Sequence, residues 1–268
     1  MDGIIIKYYQ FNNLINRLPS VIKDKFNYDD SLLLSLLSFK SSARFYSKRD
    51  KHQIYNKMDS ELYKDFILDS AINLSINNDY EKLLFLYGLI ISDTTSYYLK
   101  IYLEQISDEY SLNESLNMVD KIYADKNNLN INESILKQFP TAFIYHKYMD
   151  ELIHTSFIRN FGFFSTDNYF KIAYKKMRKF YKKNTKNKIG NLDKNETIYP
   201  ETYSTKIFNK DRNEFVIDNK KYKYELNEFI NFIDDIIYKK IDALNNYLFF
   251  NQEKDFIKEF NIPKDKKI

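Results

Sequence analysis

The chain has 268 residues, no cysteine, four glycines, four prolines and a formal net charge of +4. The absence of cysteine excludes disulfides, thiolate metal sites and cysteine nucleophiles, and it fits a cytoplasmic location. The charge excess is too small to indicate nucleic-acid binding, and no apolar run reaches the ~20 residues that a membrane span needs. The opening MDGIIIKYYQFNN has an early acid and a short apolar run, so it does not predict a secretory signal peptide.

Glycine and proline are scarce, which favours long helices over a turn-rich β fold. Apolar residues recur at i, i+3, i+4 and i+7, the spacing of one helix face. This pattern predicts helices at Phe11 to Ile22 (interrupted by Pro19), Asp30 to Ser38, Ser60 to Ile76, Tyr80 to Gln105, Leu112 to Tyr123, Glu133 to Gln138, Phe143 to Phe161, Thr166 to Lys183 and Leu226 to Phe250.

The helical pattern breaks between Lys183 and Lys223, where the polar run TKNKIGNLDKNET indicates a loop. The following EFVIDNKKYKYEL alternates as a short hairpin does, with Asp218 and Asn219 near the turn. The sequence therefore predicts an all-α fold. We expect one multi-helix domain over residues 1–268, with an irregular or hairpin insertion at 184–224 before the last helix.

Two of the predicted helices carry most of the candidate site residues. In an α-helix, residues four apart lie on the same face. In GLIISDTTSYYLKIYL this spacing relates Ser92, Ser96 and Lys100, and in HKYMDELIH it relates His146, Asp150 and His154. Asp93 lies ~100° around the first helix from Ser92.

These two segments resemble the core helices of the zinc-dependent phospholipase C family, an all-helical bacterial group of phosphodiesterases. The family's first core helix reads roughly G-x-x-x-H-x-x-x-D-x-x-x-H-P. Here Gly88 is kept, while Ser92, Ser96 and Lys100 stand at the ligand positions. The second core helix resembles H-x-x-x-E-x-x-x-D and contains His146, Asp150 and His154.

Further segments resemble the family in the same order along the chain. KYYQFNNLINRLP resembles the family opening, with Tyr8 at a histidine position. LLLSLLSFKSSARFY resembles an apolar run that ends in G-P-D-x-x-F-Y, with the aspartate position near Ser42. NKMDSELYKDFI resembles a helix that opens with Met-His, and Asp59 stands at the histidine. IFNKDRNEFVID with YELNEFINFIDDI resembles the C-terminal segment.

The resemblance implies a degenerate member of that family. Zinc-assisted phosphodiester hydrolysis needs several histidine and carboxylate ligands in one pocket. Serine hydroxyls are poor zinc ligands, and Lys100 is expected to bring an opposing charge towards the site. The ligand-type residues that remain are Asp59, His146, Asp150 and His154. They predict no metal or a single zinc ion. The expected protein is a pseudoenzyme whose pocket binds a phospholipid headgroup or a protein partner, without nucleic acid and without a membrane span.

Two other functions stay open: an active metal-dependent phosphodiesterase with a smaller metal site, and an unrelated helical interaction protein. The candidate ligands also have structural interpretations. His146 and His154 are more typical of core or boundary histidines hydrogen-bonded to carboxylates than of metal ligands. Asp150 is typical of a helix pair with Lys147 or His154, and Asp59 more of an N-cap than of a ligand. His52 lies in the charged stretch KRDKHQ and predicts a solvated side chain.

The segment KIAYKKMRKFYKKNTKNK, from Lys171 to Lys188, is strongly basic with interleaved apolar residues. Such a helix fits either a solvated face or a surface for an anionic partner or membrane, and the solvated face is preferred. In both cases its Lys and Arg side chains are expected to be exposed. The sequence does not predict an oligomeric state.

Overall fold

The computed structural model describes residues 3–42, 62–74, 80–106, 112–127, 159–160, 170–179, 214–217 and 219–262. Most of these residues are helical, which confirms the predicted all-α class. In chain order the elements are α1 Ile4–Arg17, α2 Ser20–Lys23, α3 Asp30–Leu37, α4 Phe39–Ser42, α5 Leu62–Leu74, α6 Tyr80–Ile106, α7 Leu112–Lys126, β1 Glu214–Ile217, β2 Lys220–Lys223, α8 Leu226–Phe250 and α9 Glu253–Glu259. Residues 170–179 form a further helical segment, here called the basic helix.

The long helix α6 is the centre of the described core. It packs against α1, α3, α4, α5, α7 and α8 and against strand β1. The side chains from Leu83 to Tyr87 and from Leu89 to Ile91 are all buried. A helix that is apolar around its whole circumference must be covered on every side, and this explains its central place. The helix predicted at Phe143 to Phe161 lies outside the described residues, apart from the helical pair 159–160.

Gly88 lets helix α3 approach α6 closely. A Cβ atom built on Gly88 would lie 2.9 Å from the Cβ of Leu36 and 3.5 Å from the Leu36 carbonyl carbon. Because the nearest atoms belong to the backbone and the first side-chain carbon of Leu36, they cannot swing away. The role of this glycine is therefore helix packing.

Helix α1 starts earlier than the sequence pattern predicts, at Ile4 instead of Phe11. Its first turn is capped by the Asp120 carboxylate of α7, which accepts hydrogen bonds from the backbone N–H groups of Ile5 (3.3 Å) and Ile6 (3.2 Å). Burial raises the pKa of Asp120 to about 7, although the two backbone donors lower it. The acceptor lies far along the chain, so no local pattern indicates this start.

The hairpin and the last long helix agree with the sequence prediction. Strands β1 and β2 pair antiparallel, with Ile217 opposite Lys220, and Asn219 in the turn has a φ of 63°. Helix α8 runs over the predicted residues and begins with a capping box formed by Glu225 and Glu228. Its buried residues recur every three or four positions, as in Phe229, Ile230, Ile233, Ile237, Ile241 and Leu244.

The hairpin is fastened to the end of α6 by one side chain. The Gln105 amide nitrogen donates to the Val216 carbonyl at 3.0 Å, and the Val216 N–H donates to the Gln105 amide oxygen at 2.7 Å. This pair satisfies backbone groups of β1 in the way a neighbouring strand would. Among the described helices, none is both long and apolar enough to cross a membrane.

Gly88→Ala tests the close packing of α3 on α6. Alanine favours a helix by about 1 kcal/mol over glycine, so an open position would be stabilised. Here the clash with Leu36 is expected to lower the free energy of unfolding by about 1–3 kcal/mol, the usual cost of overpacking. Chemical denaturation measures the change, and Lys100→Ala on the exposed side of the same helix is the control. A stabilised Gly88→Ala variant would contradict the contact.

Asp120→Ala tests the cap on α1. Removing the carboxylate leaves two buried N–H groups without an acceptor, at a cost of about 1–3 kcal/mol for each unsatisfied group. We expect a loss of stability in that range, with hydrogen exchange accelerated at the amides of Ile5 and Ile6. Exchange at the N-terminus of α8 serves as the internal control, because its capping box is independent of Asp120. Unchanged exchange at Ile5 and Ile6 would rule out the cap.

Candidate functional site

Four predicted ligand residues, Asp59, His146, Asp150 and His154, lie outside the described residues, as does His52. Within the part of the chain that the structure does describe, no group of three or more His, Asp or Glu side chains could hold a metal ion. The positions that can be examined are Tyr8, Ser42, Ser92, Ser96 and Lys100.

Tyr8, Ser42 and Ser92 are buried in helix packing. The Ser42 hydroxyl donates to the Phe39 carbonyl at 2.7 Å, and the Ser92 hydroxyl donates to the Leu37 carbonyl at 3.2 Å. Both hydroxyls therefore bond to the backbone around the junction of α3 and α4. The Tyr8 ring packs edge-on against Tyr9, with 5.5 Å between centroids.

Ser96 and Lys100 follow Ser92 at helical spacing, but the structure does not bring the three to one surface. Ser92 is buried, Ser96 is half-buried and Lys100 is exposed. Each step of four residues turns ~40° beyond a full revolution, so two steps carry Lys100 round to the solvent side. Its ammonium group lies 3.9 Å from Glu104 on the same helix. The expected repulsion of a cation near Ser92 by Lys100 therefore has no support in this geometry.

The polar segment Ser92–Thr95 interrupts the apolar run of α6, and each of its side chains bonds to a different helix. A buried polar group costs free energy unless it is paired, so each residue requires a partner from the helix that it faces. The four contacts are Ser92 with the Leu37 carbonyl of α3 (3.2 Å), Asp93 with Lys40 of α4 (3.6 Å), Thr94 with Lys240 of α8 (3.2 Å) and Thr95 with Gln10 of α1.

Asp93 is the acidic centre of a lysine–aspartate cluster formed by Lys40, Lys64, Asp93 and Lys240. The Lys40–Asp93 pair is largely buried, with side-chain exposures of 16% and 15%. Lys40 also lies over the Tyr63 ring, 4.8 Å from its centroid. Lys64 covers the ring of Tyr97, one turn after Asp93, at 5.2 Å. The cluster thus contains one close ion pair, Lys40–Asp93, and a further lysine, Lys240, on which both Asp93 and Lys64 act.

Lys240 is the most unusual member of this cluster. Burial lowers its pKa, the charge of Asp93 raises it, and the charge of Lys64 lowers it further. Its ammonium group bonds to the Thr94 hydroxyl, and no carboxylate of the described residues lies within ion-pair distance. An ammonium group has three donors, so Lys240 keeps N–H groups that can bind an additional acceptor.

The Tyr63 hydroxyl is a second donor in the same region. The side chain is 1% exposed, and its oxygen has no hydrogen-bond partner among the described residues. Burial, assisted by the charge of Asp93, raises the pKa of Tyr63, so the phenol stays protonated. A buried polar atom without a partner is rare in native proteins and calls for an explanation, such as a bound water or ion.

A second polar site lies between α1 and α8. It is a small groove with a cavity volume of about 10 Å³, which is about the space that one water molecule needs. Its lining residues are Gln10, Asn13, Leu14, Arg17, Asp234, Ile237 and Tyr238. Burial raises the pKa of Asp234 to about 6, while Gln10, Arg17 and Asn13 lower it. Gln10 is close enough to stabilise the carboxylate, although its amide nitrogen and Asp234 Oδ1 fall short of hydrogen-bond geometry.

The sequence analysis did not predict the lysine–aspartate cluster, although two of its members stand out in the sequence. Asp93 interrupts an apolar helix, and Lys40 follows the apolar run LLLSLLSF. Ionisable residues in such runs are buried only when they are paired. What the sequence lacks is the register that joins α4, α5, α6 and α8, so the three lysines could not be assigned to one carboxylate.

The basic helix agrees with its predicted exposure over the residues described. Its apolar side chains at Phe170, Ala173, Tyr174 and Met177 are buried. Its exposed side chains are Lys171, Ile172, Lys175, Lys176, Arg178 and Lys179. This division is typical of an ordinary amphipathic helix with a solvated charged face.

Comparison of the chain with protein-family models, curated proteins and solved structures finds no match. The resemblance to zinc-dependent phospholipase C therefore stays a prediction from the quoted motifs.

Asp234→Asn tests the electrostatics of the groove. The pKa of Asp234 is above that of an unfolded aspartate, so its contribution to stability is full below pH ~4 and is lost as the pH rises through about 6. As the pH rises from 4 to 7.5, we expect the free energy of unfolding of the variant to rise by about 1–2 kcal/mol relative to that of the parent. A tenfold change in proton affinity corresponds to about 1.4 kcal/mol.

Denaturant titrations at the two pH values measure this gain. The matched control is Asp235→Asn, because the neighbouring Asp235 side chain is 72% exposed. An Asp234→Asn variant that differs from the parent equally at both pH values would show that the carboxylate is well solvated.

Proposed function

We propose that this chain is a degenerate relative of the zinc-dependent phospholipase C family that binds a ligand or partner and does not perform multi-zinc catalysis. The observation that carries the proposal is the Lys40–Asp93 ion pair. Asp93 is the carboxylate adjacent to the expected ligand position Ser92, and a lysine ammonium group lies 3.6 Å from it. The carboxylate next to Ser92 in the sequence is thus already paired with a protein cation.

Electrostatics supports this interpretation. Two like unit charges 4 Å apart repel by about 4 kcal/mol at the effective dielectric constant of a protein surface, and a divalent ion doubles the effect. Lys64 and Lys240 add to the positive potential around Asp93. A zinc ion at this carboxylate would have to overcome all three charges.

The hydroxyl groups at the other expected ligand positions support the same conclusion. Ser42 and Ser92 donate to backbone carbonyls in closely packed surroundings, so their oxygens serve helix packing. Losing a single supporting contact commonly reduces metal affinity or activity by 10–100-fold. Replacing several direct ligands is expected to cost more. Any metal that remains would depend on His146 and Asp150, with Asp59 and His154 as further ligands.

Zinc content and phosphodiesterase turnover of protein purified without chelator test this proposal. We expect fewer than two zinc ions per chain, and turnover close to the background of the assay, for both the parent and His146→Ala. His52→Ala, in a charged stretch of the sequence, controls for nonspecific loss of a histidine. Two or more tightly bound zinc ions, or robust turnover that His146→Ala abolishes and His52→Ala keeps, would establish the active phosphodiesterase instead.

A further inference from the structure

We propose that the lysine–aspartate cluster is a binding site for a phosphate group, held by the ammonium groups of Lys240 and Lys40 and by the Tyr63 hydroxyl. This inference names the ligand class of the proposed binding function and rests on it. The residues that it concerns lie on α4, α5 and α8, and none of them is a predicted metal ligand.

The charge balance of the cluster favours an anion. Asp93 and Glu259 are the acids that act on Lys240, and the charge of Lys64 opposes them. Asp93 is already paired with Lys40 at 3.6 Å, so its charge is shared. Glu259 also lies 3.7 Å from Lys258, so its charge is shared. A buried cation that lacks a full counter-charge is costly, and an oxyanion between the lysines would remove that cost.

The available donors match the needs of a phosphate oxygen. Lys240 uses one N–H on Thr94 and has others to donate. The Tyr63 O–H is enclosed, protonated and without an acceptor in the described part of the chain. The Lys40 ammonium group lies over the Tyr63 ring, 4.8 Å from its centroid, and is therefore in the same region as this hydroxyl. Two ammonium groups and a phenol are typical donors for a charged oxyanion.

A cation site does not account for the same groups. The ammonium group of Lys240 repels a cation, and a neutral phenol adds no negative charge to hold one. A carboxylate ligand would also carry a negative charge. It has fewer acceptor oxygens than a phosphate, however, and the donors come from three different helices. The cluster therefore selects a phosphate group, carried by a small soluble ester or by a lipid headgroup.

Thermal unfolding with and without inorganic phosphate, at ionic strength matched with sodium chloride, tests the site. A ligand that binds the folded state raises its stability with concentration. We expect phosphate to raise the melting temperature of the parent. Lys240→Met is expected to weaken phosphate binding by at least about tenfold, the effect of losing a charged hydrogen bond. The matched control is Lys239→Met, which removes an exposed charge from the adjacent position.

Tyr63→Phe is the second variant, because it is nearly isosteric and leaves all charges in place. Because the hydroxyl has no hydrogen-bond partner among the described residues, its removal is expected not to destabilise the ligand-free protein. If the hydroxyl binds phosphate, affinity falls by about tenfold or more, the worth of a hydrogen bond to a charged acceptor. Unchanged phosphate affinity in Tyr63→Phe and in Lys240→Met would overturn the proposal, as would equal stabilisation of the Lys239→Met and Lys240→Met variants.

Two further arms identify the source of the phosphate. Glycerol 3-phosphate represents a soluble ester, and vesicles of phosphatidylcholine with phosphatidic acid represent a lipid headgroup. Binding in either arm that depends on Lys240 supports the site, and binding in neither arm rejects it. The outcome is independent of the zinc assay, so a failure here is distinguishable from a failure of the degenerate-enzyme proposal.

Discussion

The structure depends on one constraint, namely that helix α6 is enclosed on nearly every side. Its apolar run needs neighbours all round, and α1, α3, α4, α5, α7 and α8 provide them. Within this enclosure the polar segment Ser92–Thr95 must find its partners inside the protein. Each of the four residues does so on a different helix, which fixes the rotation of α6 relative to its neighbours. The same requirement produces both the packing of the bundle and the lysine–aspartate cluster.

The need to pair these buried polar groups explains why the proposed phosphate site lies within a network that also packs the helices. Asp93 requires a counter-ion because it is largely buried, and Lys40 supplies one. Lys240 reaches the same region along α8, and among the described residues the group within hydrogen-bond distance of its ammonium is the Thr94 hydroxyl. Asp93 is thus more completely paired than Lys240. A protein that uses buried charges only for packing has no reason to keep an unmatched lysine, since a hydrophobic side chain of similar size is often more stable.

Local signals predicted the parts of the fold that local interactions determine. The turn at Asn219 and the Glu225–Glu228 capping box lie next to the elements that they define, and the hairpin and α8 appear where the sequence places them. The start of α1 was predicted wrongly because its cap comes from Asp120. For the candidate site, helical spacing predicted which residues of one helix lie near each other and nothing beyond that. That spacing relates Ser92 to Lys100 but ignores the rotation that exposes Lys100. The cluster around Asp93 joins four helices and could not be read from any one of them.

The cap on α1 also has a consequence for the order in which the chain folds. The bonds from Ile5 and Ile6 to Asp120 span sequence separations of 115 and 114 residues. Helix α1 therefore lacks this acceptor for its first turn until α7 has been synthesised and docked. Contacts of such long range close slowly, because the entropy of the intervening loop is lost before the contact forms. Nascent α1 is expected to have a frayed first turn, with its apolar residues accessible to chaperones, until α7 has docked against it.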